Sequence, residues 1–255
     1  MKKILAMVVS LVTVVFLLAG CTGAAFDPST AYKGQTAKQL YDNGVSQMKQ
    51  AYYQDATQYF RTLEARYPYS EYTPSAQLDI IYAYYMNDDD PSALLAADNF
   101  IHLYPTDPHV DYAYYMKAMV NFDSSVGLLE RHLPVDLATR DLTAAKQSFI
   151  EYTDLVHRFP DSRYVPDALK RMTYIRNLLA MHELEVAKFY VEHGAYIAAV
   201  DRAQMIVLHY QEASVMPDAL LILYQSYNKL GLTEQADKVA QIYNANYKSA
   251  KPLSL

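Results

Sequence analysis

The sequence is short of several residue types. Its 255 residues include no tryptophan, one cysteine and only seven glycines. A single cysteine excludes a framework of intrachain disulfides. Few glycines and long stretches without proline argue against a β-sandwich or barrel, which needs frequent turns, and favour helices. Because the 22 Lys and Arg are outnumbered by 28 Asp and Glu, nucleic acid is a poor candidate partner.

The motifs of catalysis and of metal binding are missing too. The sequence has no Gly-x-Ser-x-Gly elbow and no glycine-rich phosphate loop, and its histidines do not cluster. An acidic turn, Asp88-Asp89-Asp90, lacks the glycine and distal glutamate of a calcium loop, so a helix cap is favoured over a cation site. We therefore expect no enzymatic activity, no metal and no cofactor.

The N-terminus carries a secretory signal. Lys2 and Lys3 precede a largely apolar run of fifteen residues, which is too short for a membrane span. The run ends in Leu18-Ala19-Gly20-Cys21, which resembles a bacterial lipobox. That resemblance implies that residues 1–20 are removed and that Cys21 carries the lipid. Several acyl chains together anchor a protein stably, whereas one alone is marginal.

The mature chain is acidic and is predicted to consist of a tether, a folded array and a tail. Loss of Lys2 and Lys3 leaves 20 basic against 28 acidic side chains, a net charge of −8, so attachment to a membrane must come from the lipid. Residues 21–35 are small and polar and are interpreted as a flexible tether. Residues 36–248 are predicted to form the folded array, and residues 249–255 a C-terminal tail. By analogy with other lipoproteins, Thr22 rather than an aspartate after the cysteine favours the outer membrane.

A multi-position pattern recurs four times in the folded part. Each copy contains a junction of two residues, an aromatic residue followed by proline, except that glutamine replaces the proline in the fourth copy. An alanine lies eight residues after the proline or glutamine in every copy. Small and large residues also recur twelve, eight and five residues before that position, which places them on one helical face. The four sets are Ala56, Phe60, Leu63 and Ala76; Ala93, Ala97, Phe100 and Ala113; Ser148, Tyr152, Leu155 and Ala168; Ala199, Ala203, Ile206 and Ala219.

This pattern resembles the tetratricopeptide repeat, a helix-turn-helix unit of 34 residues. We predict an all-α fold, a tetratricopeptide-repeat solenoid of about five helix pairs. The spacing between junctions exceeds 34, so insertions are expected. One is predicted as a long loop over about residues 121–140. The other makes residues 165–193 one long helix or two helices with a slight break, and a last helix is predicted from Thr233 to about Tyr247.

Several segments, together with the lipobox, resemble the BamD family in order and spacing over nearly the whole mature chain. They are Leu78–Tyr85, Ala97–Ile101, Tyr104–Thr106, Val110–Tyr112, Arg140-Asp141, Phe159–Tyr164, Asp167-Ala168, Val186–Tyr190 and Gly194-Ala195. The resemblance implies a periplasm-facing outer-membrane lipoprotein of the machinery that inserts β-barrel proteins. Its implied partners are the barrel-shaped central subunit, companion lipoproteins and unfolded barrel substrates. Some relatives are described as competence-associated and peptidoglycan-linked, which supplies an alternative function.

The resemblance implies one set of partner-binding residues, and the spacing of the tyrosines leads to the hypothesis of a second. A family arginine that contacts the central subunit falls here on Asp201 and Arg202. The family is also associated with recognising the C-terminal strand of barrel substrates, and an aromatic groove would suit such a strand. In tetratricopeptide repeats, first helices usually line the concave side, and tyrosines three residues apart share a helical face. The candidate groove residues are Tyr67, Tyr82, Tyr85, Tyr112 and Tyr115.

Overall fold

The structure is a computed structural model that describes residues 26–126 and 141–247. The signal peptide, Cys21 and the C-terminal tail predicted from the sequence lie outside these residues. The chain divides into two compact units, residues 1–76 and 77–255. Each unit is described separately below.

The described residues form ten α-helices and no strand, which confirms the all-α fold class and its five helix pairs. The pairs are α1–α2, α3–α4, α5–α6, α7–α8 and α9–α10. The helices span Ala37–Lys49 (α1), Tyr53–Arg66 (α2), Thr73–Met86 (α3), Asp90–Leu103 (α4), Val110–Val126 (α5), Thr143–Arg158 (α6), Val165–Glu192 (α7), Tyr196–His209 (α8), Met216–Lys229 (α9) and Thr233–Asn246 (α10).

In the first unit, α1 and α2 pack closely through a glycine. Thr36 and Gln39 form a capping box that starts α1 by satisfying two backbone N–H groups at its end. Gly44 faces the ring of Phe60, and a Cβ added at Gly44 would lie 2.4 Å from the Phe60 Cε1 atom. The helices can therefore approach this closely only with glycine at position 44.

Residues 26–35, the described part of the predicted tether, contact the first helix pair. The Tyr32 ring stacks on that of Tyr59 with 4.1 Å between centroids. Arg66 donates hydrogen bonds to the carbonyl oxygens of Ala31 and Tyr32 at 3.2 and 3.0 Å. The Tyr67 hydroxyl donates to the Gln35 carbonyl oxygen at 2.8 Å. These contacts hold the chain on α2 just before α1 begins.

The recurring positions form the core, as predicted. Every residue in the four sets, from Ala56 to Ala219, has no solvent exposure. Each junction residue before the proline, such as Tyr67 with φ −132° and ψ 56°, leaves the helical region as a pre-proline residue must. Tyr210 has φ −128° and ψ 45° although Gln211 follows it, so the fourth junction keeps the same geometry without proline.

In the second unit, the helices from α4 to α10 pack on their neighbours in chain order, and α7 also contacts α9. This is the packing of a tetratricopeptide-repeat solenoid, in which each pair covers its neighbour's apolar face. Three clusters of buried side chains follow one another along the unit. The first centres on Phe100, the second on Tyr152, and the third on Ile206.

The two predicted insertions have different outcomes. The long loop predicted over residues 121–140 is wrong at its start, because α5 continues through Asn121 to Val126. Phe122 and Ser125 are buried there, and the Ser125 hydroxyl donates to the Phe122 carbonyl oxygen, so packing prolongs the helix. Residues 127–140 lie outside the described residues. The second insertion is a single helix, α7, of 28 residues, which is the first of the two predicted forms.

Candidate partner-binding surfaces

Arg202 lies at the middle of α8, the second helix of the fourth pair, and points back to the first helix of that pair. Its Nη1 atom donates to the Glu183 Oε2 atom on α7 at 3.0 Å. The Glu183 side chain is only 9% exposed, whereas the Arg202 side chain is 43% exposed. The hydrogen bond from Arg202 to Glu183 is the main cause that raises the pKa of Arg202. The arginine is therefore a fixed positive charge that water and a partner can both reach.

A groove of about 580 Å³ runs beside Arg202. Asp201 is exposed and lines the same groove, so the two residues predicted from the sequence do lie together. Met205 and Leu208 also line it, with Leu208 64% exposed. The surface thus combines one cation, one carboxylate and exposed apolar side chains, a composition suited to contact with a protein.

Tyr67 belongs to the first unit, where it ends α2. Its hydroxyl donates to the Gln35 carbonyl oxygen, and its ring lies 5.5 Å from the Arg66 guanidinium carbon. The ring is half-buried. Tyr67 therefore helps to hold the residues that precede α1, and only part of its surface faces solvent.

The two predicted tyrosine pairs belong to the second unit and are half-buried. The Tyr82 and Tyr85 rings lie 6.4 Å apart on α3, as their spacing predicts. Tyr112 and Tyr115 on α5 both contact the Tyr164 ring, at 5.7 and 4.7 Å between centroids. All four pack against the core cluster around Phe100, so each ring contributes to the core as well as to the surface.

Two of these tyrosines donate their hydroxyl groups to aspartates within the chain. Tyr85 hydrogen-bonds to Asp123, and Tyr115 donates to the Asp167 Oδ2 atom at 2.8 Å. Asp167 also accepts from Arg171 Nε at 2.6 Å. The pKa values of Tyr85 and Tyr115 are both raised above the usual value for tyrosine. Burial is the larger cause, and the hydrogen bonds to the aspartates are the second. Both phenols therefore remain neutral at physiological pH, with internal acceptors.

Sequence reasoning missed the residues that support these surfaces. Glu183 was not identified, and its 19-residue separation from Arg202 gives no local signal. Asp123 and Asp167 were missed as acceptors for the tyrosines. The pair Asp167 and Arg171 could have been found, because opposite charges four residues apart on a helix are neighbours.

The predicted lipidation site, Cys21, lies outside the described residues. Among the helices of residues 26–126 and 141–247, none combines the length and the apolar character that a membrane crossing requires.

Comparison with known proteins identifies the family. The family model described as "YfiO: Outer membrane lipoprotein" matches residues 33–242. The protein "Outer membrane protein assembly factor BamD" of Haemophilus influenzae is 33% identical over 246 residues, which cover 96% of this chain and 92% of that protein.

Relatives that carry the same name occur in other bacteria. The protein from Neisseria meningitidis serogroup A is 34% identical over 83% of this chain and 79% of its own length. The protein from Caulobacter vibrioides is 31% identical over 95% of this chain and 76% of its own length. Identity at this level across most of both chains shows that the chain belongs to the BamD family of outer-membrane lipoproteins.

Proposed function

We propose that this chain is a non-enzymatic, lipid-anchored scaffold of the machinery that assembles β-barrel proteins in the outer membrane. The observation that carries the proposal is the family match, since relatives named as outer-membrane protein assembly factors align over most of the chain. The helix pairs of the second unit add a long surface of helix edges, which suits protein and peptide partners.

In this proposal the lipid on Cys21 holds the chain at the periplasmic side of the outer membrane. Cys21→Ser is expected to leave a folded protein that no longer partitions with outer membranes by itself. Intact-mass analysis of the mature wild-type protein provides the direct measurement. A free thiol at Cys21 in that protein would contradict lipidation.

The surface around Arg202 and Asp201 docks on the barrel-shaped central subunit. The exposed edge of the Arg202 guanidinium pairs with a carboxylate of that subunit, and Met205 and Leu208 add apolar contacts. Truncating one member of a hydrogen-bonded charge pair at an interface costs about 2–5 kcal/mol. Charge reversal at Arg202 should therefore abolish docking.

Affinity isolation of the full chain from detergent-solubilised envelopes tests this docking. Wild-type protein should co-isolate a large β-barrel protein and companion lipoproteins, whereas Arg202→Glu should lose the barrel protein. Lys238→Glu is the matched control, since Lys238 is an exposed, ion-paired cation on the second helix of the next pair. Retention of the barrel protein by Arg202→Glu would place the contact elsewhere. If the chain instead sediments with purified peptidoglycan and does not co-isolate a barrel protein, the alternative function is favoured, a peptidoglycan-associated envelope lipoprotein linked to competence or cell-wall organisation.

The tyrosine surfaces bind the C-terminal strand of unfolded barrel substrates. Each unit offers such a surface: the half-exposed ring of Tyr67 in the first, and in the second the half-exposed rings of Tyr82, Tyr85, Tyr112 and Tyr115, whose apolar area the side chains of an extended peptide can cover. Because Tyr85 and Tyr115 donate to internal aspartates, their rings rather than their hydroxyl groups carry this contact.

Photo-crosslinking tests the substrate surface. A crosslinker at Tyr67 should capture a C-terminal barrel peptide, and removal of the terminal aromatic residue of the peptide should reduce capture. The matched control is Tyr52, an exposed tyrosine at the opposite end of the same helix. Equal capture at Tyr52 and Tyr67 would argue against a specific binding surface.

A further inference from the structure

Glu183 is an unusual residue for its position on α7. Its carboxylate is almost fully buried, beside Ala180, Leu184 and Ala187, which have little or no exposure. A buried carboxylate is costly unless a hydrogen-bonding cation accompanies it. Arg202 provides that partner from the next helix at 3.0 Å. The carboxylate and the guanidinium therefore fix one another across the helix pair.

The hydrogen bond to Glu183 engages one edge of the Arg202 guanidinium and leaves the rest of it accessible. A guanidinium carries five N–H donors in a planar fork, and Glu183 accepts from Nη1. Tyr190, two turns after Glu183 on α7, lines the same groove as Arg202. A long side chain that is already ordered loses less conformational entropy when it binds a partner. The ion pair thus prepares the exposed edge of Arg202 for a second carboxylate.

We propose that Glu183 is a positioning residue for docking, which holds the Arg202 guanidinium at the rim of the groove so that its exposed edge meets a carboxylate of the barrel subunit. This inference rests on the docking role proposed above for Arg202. Glu183 does not itself touch the partner; it acts through Arg202.

A double-mutant cycle tests the proposal. The full-length chain in detergent, as wild type, Glu183→Gln, Arg202→Ala and the double variant, is titrated against the purified barrel subunit. Glutamine keeps the volume of Glu183 and one acceptor oxygen but removes its charge. Glu183→Gln should weaken binding roughly three- to thirtyfold, which lies within the range of couplings between neighbouring residues. When Arg202 is already alanine, the same substitution should weaken binding less than about twofold.

The matched control is Glu151→Gln. Glu151 is a second buried carboxylate that joins the helices of one pair: it lies three residues after Ser148 on the second helix of the third pair, at the repeat position that Arg202 holds in the fourth, and its side chain is 8% exposed. The same loss of a buried carboxylate there should leave binding to the barrel subunit unchanged. Thermal unfolding of all variants separates an effect on binding from an effect on folding.

Three outcomes would overturn the proposal. If Glu183→Gln weakens binding to the barrel subunit equally with Arg202 present and with Arg202→Ala, Glu183 acts independently of Arg202. If it does not weaken binding with Arg202 present, Glu183 has no role in docking. Unchanged binding by Arg202→Ala would remove the docking role itself, which is a separate failure. If Glu183→Gln does not fold, Glu183→Asp, which keeps the charge but withdraws the carboxylate by one methylene, completes the same cycle.

Discussion

The third and fourth helix pairs place a charge at the same repeat position with opposite sign. In the third pair, Glu151 on the second helix accepts from Asn121 at 2.8 Å and lies 3.7 Å from Lys117, both on the first helix. In the fourth pair, Arg202 takes the place of Glu151, and Glu183 supplies the carboxylate from the first helix.

The difference between the pairs lies in which charge water can reach. The carboxylate is buried in both, but in the third pair it belongs to the second helix, whereas in the fourth pair the second helix presents an exposed cation. One repeat framework can thus use the same position for internal stability or for an external contact. The following predictions test that contrast, from the largest expected effect to the smallest.

Tyr152→Ala should reduce the free energy of unfolding by about 3–5 kcal/mol, because it opens a cavity in the core of the third pair. Tyr152 is fully buried, and the fourth pair has only Ala203 at the equivalent position. Urea unfolding provides the measurement. Tyr152→Phe is the control and should change stability by less than about 1 kcal/mol, because the hydroxyl has no hydrogen-bond partner among the described residues. Equal losses in both variants would show that the hydroxyl, not the ring, matters.

Glu151→Ala should cost about 1–3 kcal/mol of unfolding free energy, because Asn121 and Gln147 lose their shared acceptor inside the helix pair. Lys117 keeps Asp98 as a partner at 2.6 Å, which limits the loss. Chemical unfolding measures the change. Glu185→Ala, which breaks an exposed ion pair with Lys188, should cost less than about 1 kcal/mol. A comparable loss in both variants would remove the distinction between buried and exposed carboxylates.

The stability of the third pair should fall above pH 10. Burial is the main cause that raises the pKa of Tyr152 above its usual value. The folded state therefore keeps this proton when the unfolded state loses it, so stability is complete below pH 10 and declines above it. The decline is at most about 1.4 kcal/mol per pH unit for one tyrosine. Unfolding midpoints between pH 8 and pH 11 should fall less steeply in Tyr152→Phe; parallel curves would refute this account.

Arg202→Ala should have only a small effect on stability, about 1 kcal/mol or less, because Arg202 is 43% exposed and its truncation lets water reach the Glu183 carboxylate in its place. Its effect on binding to the barrel subunit should nevertheless be larger than that of any other variant in this comparison. Thermal unfolding and co-isolation, measured on the same preparation, give both numbers. A large loss of stability in Arg202→Ala would make this ion pair structural, like the one in the third pair.

The sequence predicts the fold well because repeat spacing is a local property. Ala199, Ala203 and Ile206 share a helical face by their spacing alone, and all three are buried. The length of α5 could not be predicted, because the burial of Phe122 depends on packing against helices later in the chain. The hydrogen-bond partners of the candidate site residues in the second unit could not be predicted for the same reason, since they too lie on other helices. Tyr115 and Asp167 are 52 residues apart, and no periodicity within one helix relates them.

The contacts of Arg66 with Ala31 and Tyr32 set the reach of the lipid anchor. Only nine residues lie between Cys21 and Ala31, and a fully extended chain covers at most about 35 Å from one to the other. If Cys21 carries the lipid, the C-terminal end of α2 at Arg66 lies within about that distance of the membrane, and a partner bound there lies close to the membrane too. The anchor then limits the first helix pair to a layer next to the bilayer. Lengthening the segment before Ala31 would widen that layer without altering any binding surface.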